Sequence, residues 1–180
     1  MAGLPQRRSP RLPEYDYSSP GAYFITICTQ GRRCILSEIN VGALHEAPAD
    51  AIRLKAAGRC VQEALESLRG RYPGLHVDRY VIMPNHVHLM LRIEEDRAIR
   101  ESPLRPGEKR SLIDKAVGFL KMRSSRMIHE RFPDLQVWQR SFHDHVIRGE
   151  RDYLEILTYI ESNPLRWKED CFFCEDLRRE

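Results

Sequence analysis

The sequence predicts an α+β fold: an antiparallel sheet with helices on one face, plus one more helix near the C-terminus. Three observations carry that reading. Residues 86–93, His-Val-His-Leu-Met-Leu-Arg-Ile, alternate with the period of two that side chains follow along a strand. Two longer segments, near 48–68 and 111–132, place apolar residues at the spacing of a helix face. Strand-like runs stand before, between and after those segments, which gives the order β-α-β-β-α-β.

Taken in order, residues 1–20 hold four prolines, three arginines (Arg7, Arg8, Arg11) and no periodic pattern, so they read as a flexible basic arm. Ala22–Cys28 is rich in β-branched and aromatic residues and reads as the first strand. Gly31-Arg32-Arg33 looks like a turn, with Cys34-Ile35-Leu36 returning briefly as a hairpin partner. From about Pro48 to Leu68, the positions Ile52, Leu54, Ala57, Val61, Leu65 and Leu68 recur at helical spacing. Gly70 stops that helix, Pro73-Gly74 makes a turn, and Val77–Met83 is the second strand.

Pro84-Asn85 then connects to the histidine strand. Residues 94–110, charged and broken by Pro103, Pro106 and Gly107, read as an exposed loop. Ser111, with Asp114 three residues on, resembles a capping box opening the second helix, whose core stripe is Leu112, Ile113, Ala116, Val117, Leu120, Met127 and Ile128. A fourth strand or extended segment falls within Val137–Arg148, and a last helix runs from Glu150 to Asn163, stopped by Pro164. This order is ferredoxin-like (RRM-like), a sheet that carries two helices on one face and leaves the other free.

A chain of 180 residues with 42% apolar content fits one domain with a sizeable core. No apolar run approaches the roughly 18–20 residues of a membrane span, and no apolar leader opens the chain, so no membrane partner is expected. Five irregularly spaced cysteines argue for a reducing cytoplasm rather than a disulfide framework. Net charge is only +3, but Glu108–Arg131 holds seven basic residues against three acidic ones. That face, including Lys115, Lys121, Arg123 and Arg126, either tracks phosphates or is an ordinary solvated surface.

The histidine strand has two unlike faces. Val87, Leu89, Leu91 and Ile93 form a wholly apolar one that must be buried, and His86, His88, Met90 and Arg92 lie on the other. Two imidazoles side by side on an anchored strand suit a metal ion with positions left open to substrate, although two solvated histidines would show the same spacing. On the last helix, Tyr153, Ile156, Leu157 and Ile160 fall on one stripe, the buried face. Tyr159 lies about 120° from the centre of that stripe, and Asn163 is on its side one turn later.

Three blocks together resemble the REP-associated tyrosine transposases, single-tyrosine members of the HUH class. They are Met83-Pro-Asn-His-Val-His-Leu, then Val137-Trp-Gln-Arg-Ser-Phe-His-Asp-His-Val-Ile-Arg, then Asp152-Tyr-Leu-Glu-Ile-Leu-Thr-Tyr-Ile-Glu-Ser-Asn-Pro164. The resemblance covers about residues 20–166, so 21–166 is read as the catalytic domain and 167–180 as a tail. It implies that His86 and His88 hold a metal, Mg²⁺ or Mn²⁺, with Asn163, and that Tyr159 is the nucleophile. His145 also matches a family position.

The implied partner is single-stranded DNA with hairpins of repeated extragenic palindromes, in a cytoplasmic, nucleoid-associated protein, with monomer favoured over homodimer. The basic helix face and arm would then bind phosphates, and Tyr23, Phe24 or Trp138 could stack a base. The arm and the 94–110 loop do not align to the family. Two other functions remain open: a palindrome-binding protein that no longer cuts, and a phosphoesterase in which the metal activates water. Cys171 and Cys174 also invite a zinc reading with His143 and His145, although one C-x₂-C pair is weak support.

Overall fold

The computed structural model describes residues 19–40, 51–94 and 111–174. Its main sheet contains β1 (Gly21–Cys28), β4 (Leu75–Ile82), β5 (His86–Ile93) and β6 (His143–Ile147). The strands run antiparallel in the order β4-β5-β1-β6, the ferredoxin-like connectivity the sequence predicts. Strands β1 and β5 take the centre and are the most completely buried strands of the sheet.

One face of the sheet carries α1 (Ala56–Leu68) and α2 (Leu112–His129). Tyr23, Ile25, Ile27, Val87, Leu89 and Leu91 interlock there with Val61, Leu65 and Leu68 of α1 and Ile113, Val117 and Leu120 of α2. These side chains are essentially sealed from water, and each fully buried aliphatic contributes about 1.5–3 kcal/mol relative to exposure. Helix α2 begins with the expected capping box. The Ser111 hydroxyl accepts the Asp114 N–H at 3.1 Å, and the Asp114 carboxylate accepts the Ser111 N–H at 3.2 Å.

The other face is not free. Helix α3 (Glu150–Ser162) lies across it, with Tyr153, Ile156, Leu157 and Ile160 against Val81, Met83, Met90 and Ile147. The stripe read from the sequence is thus the packed stripe, but only Ile160 is fully buried. Polar ties supplement this thinner contact. Tyr153 donates to Asp78 at 3.2 Å, at the point where β4 bulges, and Arg79 pairs with Glu161 at 3.0 Å. The exposed ion pair adds little, at most about 1 kcal/mol.

The first helix begins later than its periodicity predicts. Ile52–Leu54 is a short strand, β3, paired antiparallel with β2 (Ser37–Ile39) in a separate ribbon. Over three residues, alternation and helical spacing place the same apolar side chains, so Ile52 and Leu54 fit both. The expected hairpin partner at Cys34–Leu36 does not form, since β1 pairs with β5 and β6 and the strand that follows, Ser37–Ile39, pairs with β3, while the Leu36 N–H donates to the Pro84 carbonyl. Gly58 makes this arrangement possible, because a Cβ there would lie 2.0 Å from the Leu36 carbonyl oxygen. The arm through residue 18 and the loop at 95–110 lie outside the described residues. No helix among the described residues is long and apolar enough to cross a membrane.

Candidate metal and nucleophile site

The site forms where the start of β5, the end of α3 and the tail meet on the α3 side of the sheet. Because Val87 and Leu89 are locked into the opposite core, His86 and His88 must point the other way, and they are 0% and 1% exposed. Their rings lie 4.4 Å apart between centroids, with Nε2 of one 3.0 Å from Nε2 of the other. Burial drives both toward the neutral form. The His86 pKa is pulled down to about 3, with the Arg32 charge adding to the effect, and that of His88 is well below its ordinary value.

The tautomer of His86 can be deduced. Asn85, fully buried, donates its Nδ2 hydrogens to the carbonyls of Arg32 (3.2 Å) and Phe172 (2.8 Å). Its Oδ1 must therefore accept from His86 Nδ1, 2.9 Å away. The proton sits on Nδ1, and Nε2 presents a bare lone pair to the centre of the site. His88 Nδ1 lies 2.9 Å from the Thr26 hydroxyl, which can accept its proton in the same way. Two imidazole lone pairs would then converge, an arrangement that a shared cation stabilises.

Tyr159 completes the reach of α3 into this centre. Its hydroxyl is 3.3 Å from His88 Nε2 and donates to Asp170 Oδ2 at 3.3 Å. Phe24 packs edge-on against its ring at 6.0 Å, and 38% of the residue stays exposed. Partial burial, then the nearby Asp170 and Cys171, push the phenol pKa up to about 12, while Asn163 opposes them. At neutral pH the hydroxyl keeps its proton and is a poor nucleophile unless a positive charge comes close.

Asn163 is 2% exposed, donates Nδ2 to Asp170 Oδ2 at 2.8 Å, and leaves its buried Oδ1 without a hydrogen bond. His86, His88, Tyr159 and Asn163, read from separate parts of the sequence, therefore meet at one place. The donor set fits a divalent ion: two neutral imidazoles, a carboxylate and an unsatisfied amide oxygen. Among the described residues, the cluster suited to a metal is His86, His88 and Asp170, whose ligand atoms all lie within 4.8 Å of one another.

Asp170 had no signal in the sequence, because it falls in an unpatterned tail. That tail is docked. Phe172 stacks on His86 at 4.6 Å between centroids, its N–H donates to Asp170 Oδ1 at 2.7 Å, and the Arg32 guanidinium lies 5.1 Å from its ring. Asn85 and Thr26 were legible only in part. Asn85 stands inside the first motif block, and Thr26 sits on the histidine face of β1.

Other candidate residues lie elsewhere. Lys115, Lys121, Arg123 and Arg126 are on α2, across the sheet from the histidines. Lys121 points its ammonium at the carbonyls of Gln139, Arg140 and Ser141, and Arg123 pairs with Glu63 at 3.5 Å. His145 lies on the histidine face of edge strand β6 but bonds Asp152 at 3.0 Å, and Asp152 in turn accepts the Arg148 N–H at 2.9 Å just ahead of α3. Tyr23 is sealed in the main core and cannot stack a base, and Trp138 is held by a bond from its indole N–H to Ser124. Cys174 bonds Asn85 and Arg32 rather than joining His143 and His145. Arg7, Arg8 and Arg11 lie outside the described residues.

Comparison with known proteins is consistent with this picture. No protein-family model matches the chain. A Haemophilus influenzae protein described only as uncharacterized is 31% identical over 182 residues, 97% of each chain. A candidate REP-associated tyrosine transposase of the same organism is 32% identical over 88 residues, 47% of each chain. A solved REP-associated tyrosine transposase bound to a REP hairpin shares the fold with a TM-score of 0.53, over 86% of this chain and 74% of that one, at 18% identity.

Fold and site thus define the class first: a ferredoxin-like α+β domain that gathers a histidine pair and a tyrosine on one face. The chain belongs to the same family as the full-length Haemophilus relative, and in sequence and fold it is similar to the REP-associated tyrosine transposases.

Proposed function

We propose that this protein is a metal-dependent single-stranded DNA endonuclease and strand transferase, acting at palindromic hairpins through a 5′-phosphotyrosine. The observation that carries the proposal is the placement of the Tyr159 hydroxyl 3.3 Å from His88 Nε2, beside the bare Nε2 of His86. His86 and His88, with Asn163, would hold Mg²⁺ or Mn²⁺. When bound, such an ion supplies Lewis-acid stabilisation of charge on the phosphoryl oxygens and on the phenolate.

The chain's own residues do the rest. Tyr159 Oη attacks phosphorus, the bond to the 3′ oxygen breaks, and that oxygen takes a proton and leaves as a free 3′-OH. The phenol proton passes to Asp170 Oδ2, 3.3 Å away, because the Nε2 lone pair of His88 would be committed to the ion. The new phosphotyrosine conserves the bond energy, so a second 3′-OH can reverse the step. Asn85 and Thr26 fix the imidazoles, and Phe24 restrains the tyrosine ring. Because nucleophile and histidines meet within one chain, the site needs no exchanged helix, which favours a monomer. Repeated extragenic palindromes are the proposed substrate and the cytoplasmic nucleoid the proposed location.

End-labelled hairpin DNA incubated with Mn²⁺ and run on a denaturing gel tests this. A covalent protein–DNA adduct that vanishes in Tyr159→Phe and His86→Ala is the expected result. Cleavage without adduct, unaffected by Tyr159→Phe, would instead establish water as the nucleophile. Binding across several hairpins with neither product would leave a DNA-binding protein without chemistry.

A further inference from the structure

The tail contributes more than cover to this site. Asp170 stands in the metal-suited cluster with both histidines, and among the described residues no lysine or arginine pairs with its carboxylate. Its hydrogen-bond donors are the Asn163 amide, the Tyr159 hydroxyl and the Phe172 N–H. These aim and fix the group without neutralising it. A carboxylate held beside two imidazoles that burial keeps neutral has no paired positive charge among the described residues.

Asn163 completes the case. An amide can direct only one end at a given partner, and its Nδ2 is committed to Asp170 at 2.8 Å. Its nine-tenths-buried oxygen is left unpartnered. Asp170 is further held by the peptide N–H of Phe172, and that residue is stacked on His86 and anchored through its carbonyl by Asn85. The residues that orient the histidines therefore also orient the carboxylate.

We infer that Asp170 is a further protein ligand of the metal, joining His86, His88 and the Asn163 oxygen, with the Asn163 amide nitrogen positioning its carboxylate. This rests on reading the site as a metal centre and adds to it an anionic ligand from outside the three sequence blocks. One carboxylate reduces the charge of a divalent ion to +1 and shifts the preference toward harder ions such as Mn²⁺ and Mg²⁺. It also makes docking of residues 170–174 a condition of full metal affinity.

Titration of the DNA-free protein with Mn²⁺, followed by the electron paramagnetic resonance of the free ion, tests the ligand without any assay of activity. Asp170→Asn, which keeps the shape, is expected to weaken Mn²⁺ binding on the order of tenfold or more, the range seen when groups around a metal are removed. Asp170→Cys is expected to lose Mn²⁺ affinity while gaining Cd²⁺ affinity over wild type, because a thiolate prefers softer ions. A purely structural role would not produce that exchange. Unchanged Mn²⁺ affinity in Asp170→Asn, with binding lost in His86→Ala, would overturn the inference and leave the histidine centre standing. Absence of Mn²⁺ binding by wild type would overturn both readings. Circular dichroism of each variant confirms that it is folded.

Discussion

Replacing Asn85 with alanine removes four hydrogen bonds from one fully buried side chain, the weakest of them to the Cys174 sulfur. The partners lose unequally. His86 Nδ1–H is sealed from water and would be left unsatisfied, which costs about 1–3 kcal/mol. The Arg32 carbonyl belongs to an exposed residue and the Phe172 carbonyl to a half-buried one, so water can replace part of what they lose. Roughly 2–4 kcal/mol in all is expected, and denaturant unfolding of the metal-free protein reads it directly. The same change frees the His86 ring to rotate and change tautomer, so Mn²⁺ affinity should fall 10–100-fold. Asn85→Asp separates the two effects, since a carboxylate still accepts from His86 but repels the carbonyls of Arg32 and Phe172. It should keep more of the histidine geometry while releasing the tail. An alanine variant that loses under about 0.5 kcal/mol and binds Mn²⁺ like wild type would refute the tautomer argument.

Two other outcomes follow from particular contacts. Gly58→Ala drives a methyl to 2.0 Å from the Leu36 carbonyl oxygen, so α1 must separate from the β2–β3 ribbon. Overpacking of this kind costs about 1–3 kcal/mol, and a thermal melt indistinguishable from wild type would show that the contact relaxes freely. The metal-free protein should lose stability on acidification, because burial depresses the pKa of His86 to about 3 and that of His88 well below its ordinary value. Between the unfolded value near 6.5 and the folded one, the unfolded chain binds more protons, so stability falls as pH drops through that window. The slope approaches about 1.4 kcal/mol per pH unit for each histidine. His86→Gln should flatten the curve, and an unchanged slope in that variant would assign the acid sensitivity elsewhere.

Much of the fold was legible because its signals are local. Alternation in residues 86–93 assigns one set of side chains to a core, and the others, the two histidines included, must then face the opposite way. The stripe on the last helix separates Tyr153 from Tyr159 for a similar reason, since 100° per residue fixes which side chains share a face. The capping box at Ser111 depends on four consecutive residues and could be read directly. Ile52–Leu54 shows the limit of such reasoning, because three residues are too few to separate a period of 2 from one of 3.6.

What the sequence determined by itself, then, was the order of elements and the facing of His86, His88, Tyr159 and Asn163, each fixed by neighbours within one or two turns or pleats. Tertiary structure alone decided what they face. Helix α3 and the tail cover a sheet surface that the element order leaves open, Thr26 orients His88 from a distant strand, the Phe172 carbonyl fixes the Asn85 amide that orients its neighbour His86, and Asp170 enters from a tail with no pattern. Helix α2, for all its positive charge, is placed behind the sheet. These contacts join residues separated by up to about 140 positions, and no periodicity reports them because they arise only when separate faces are pressed together to exclude water.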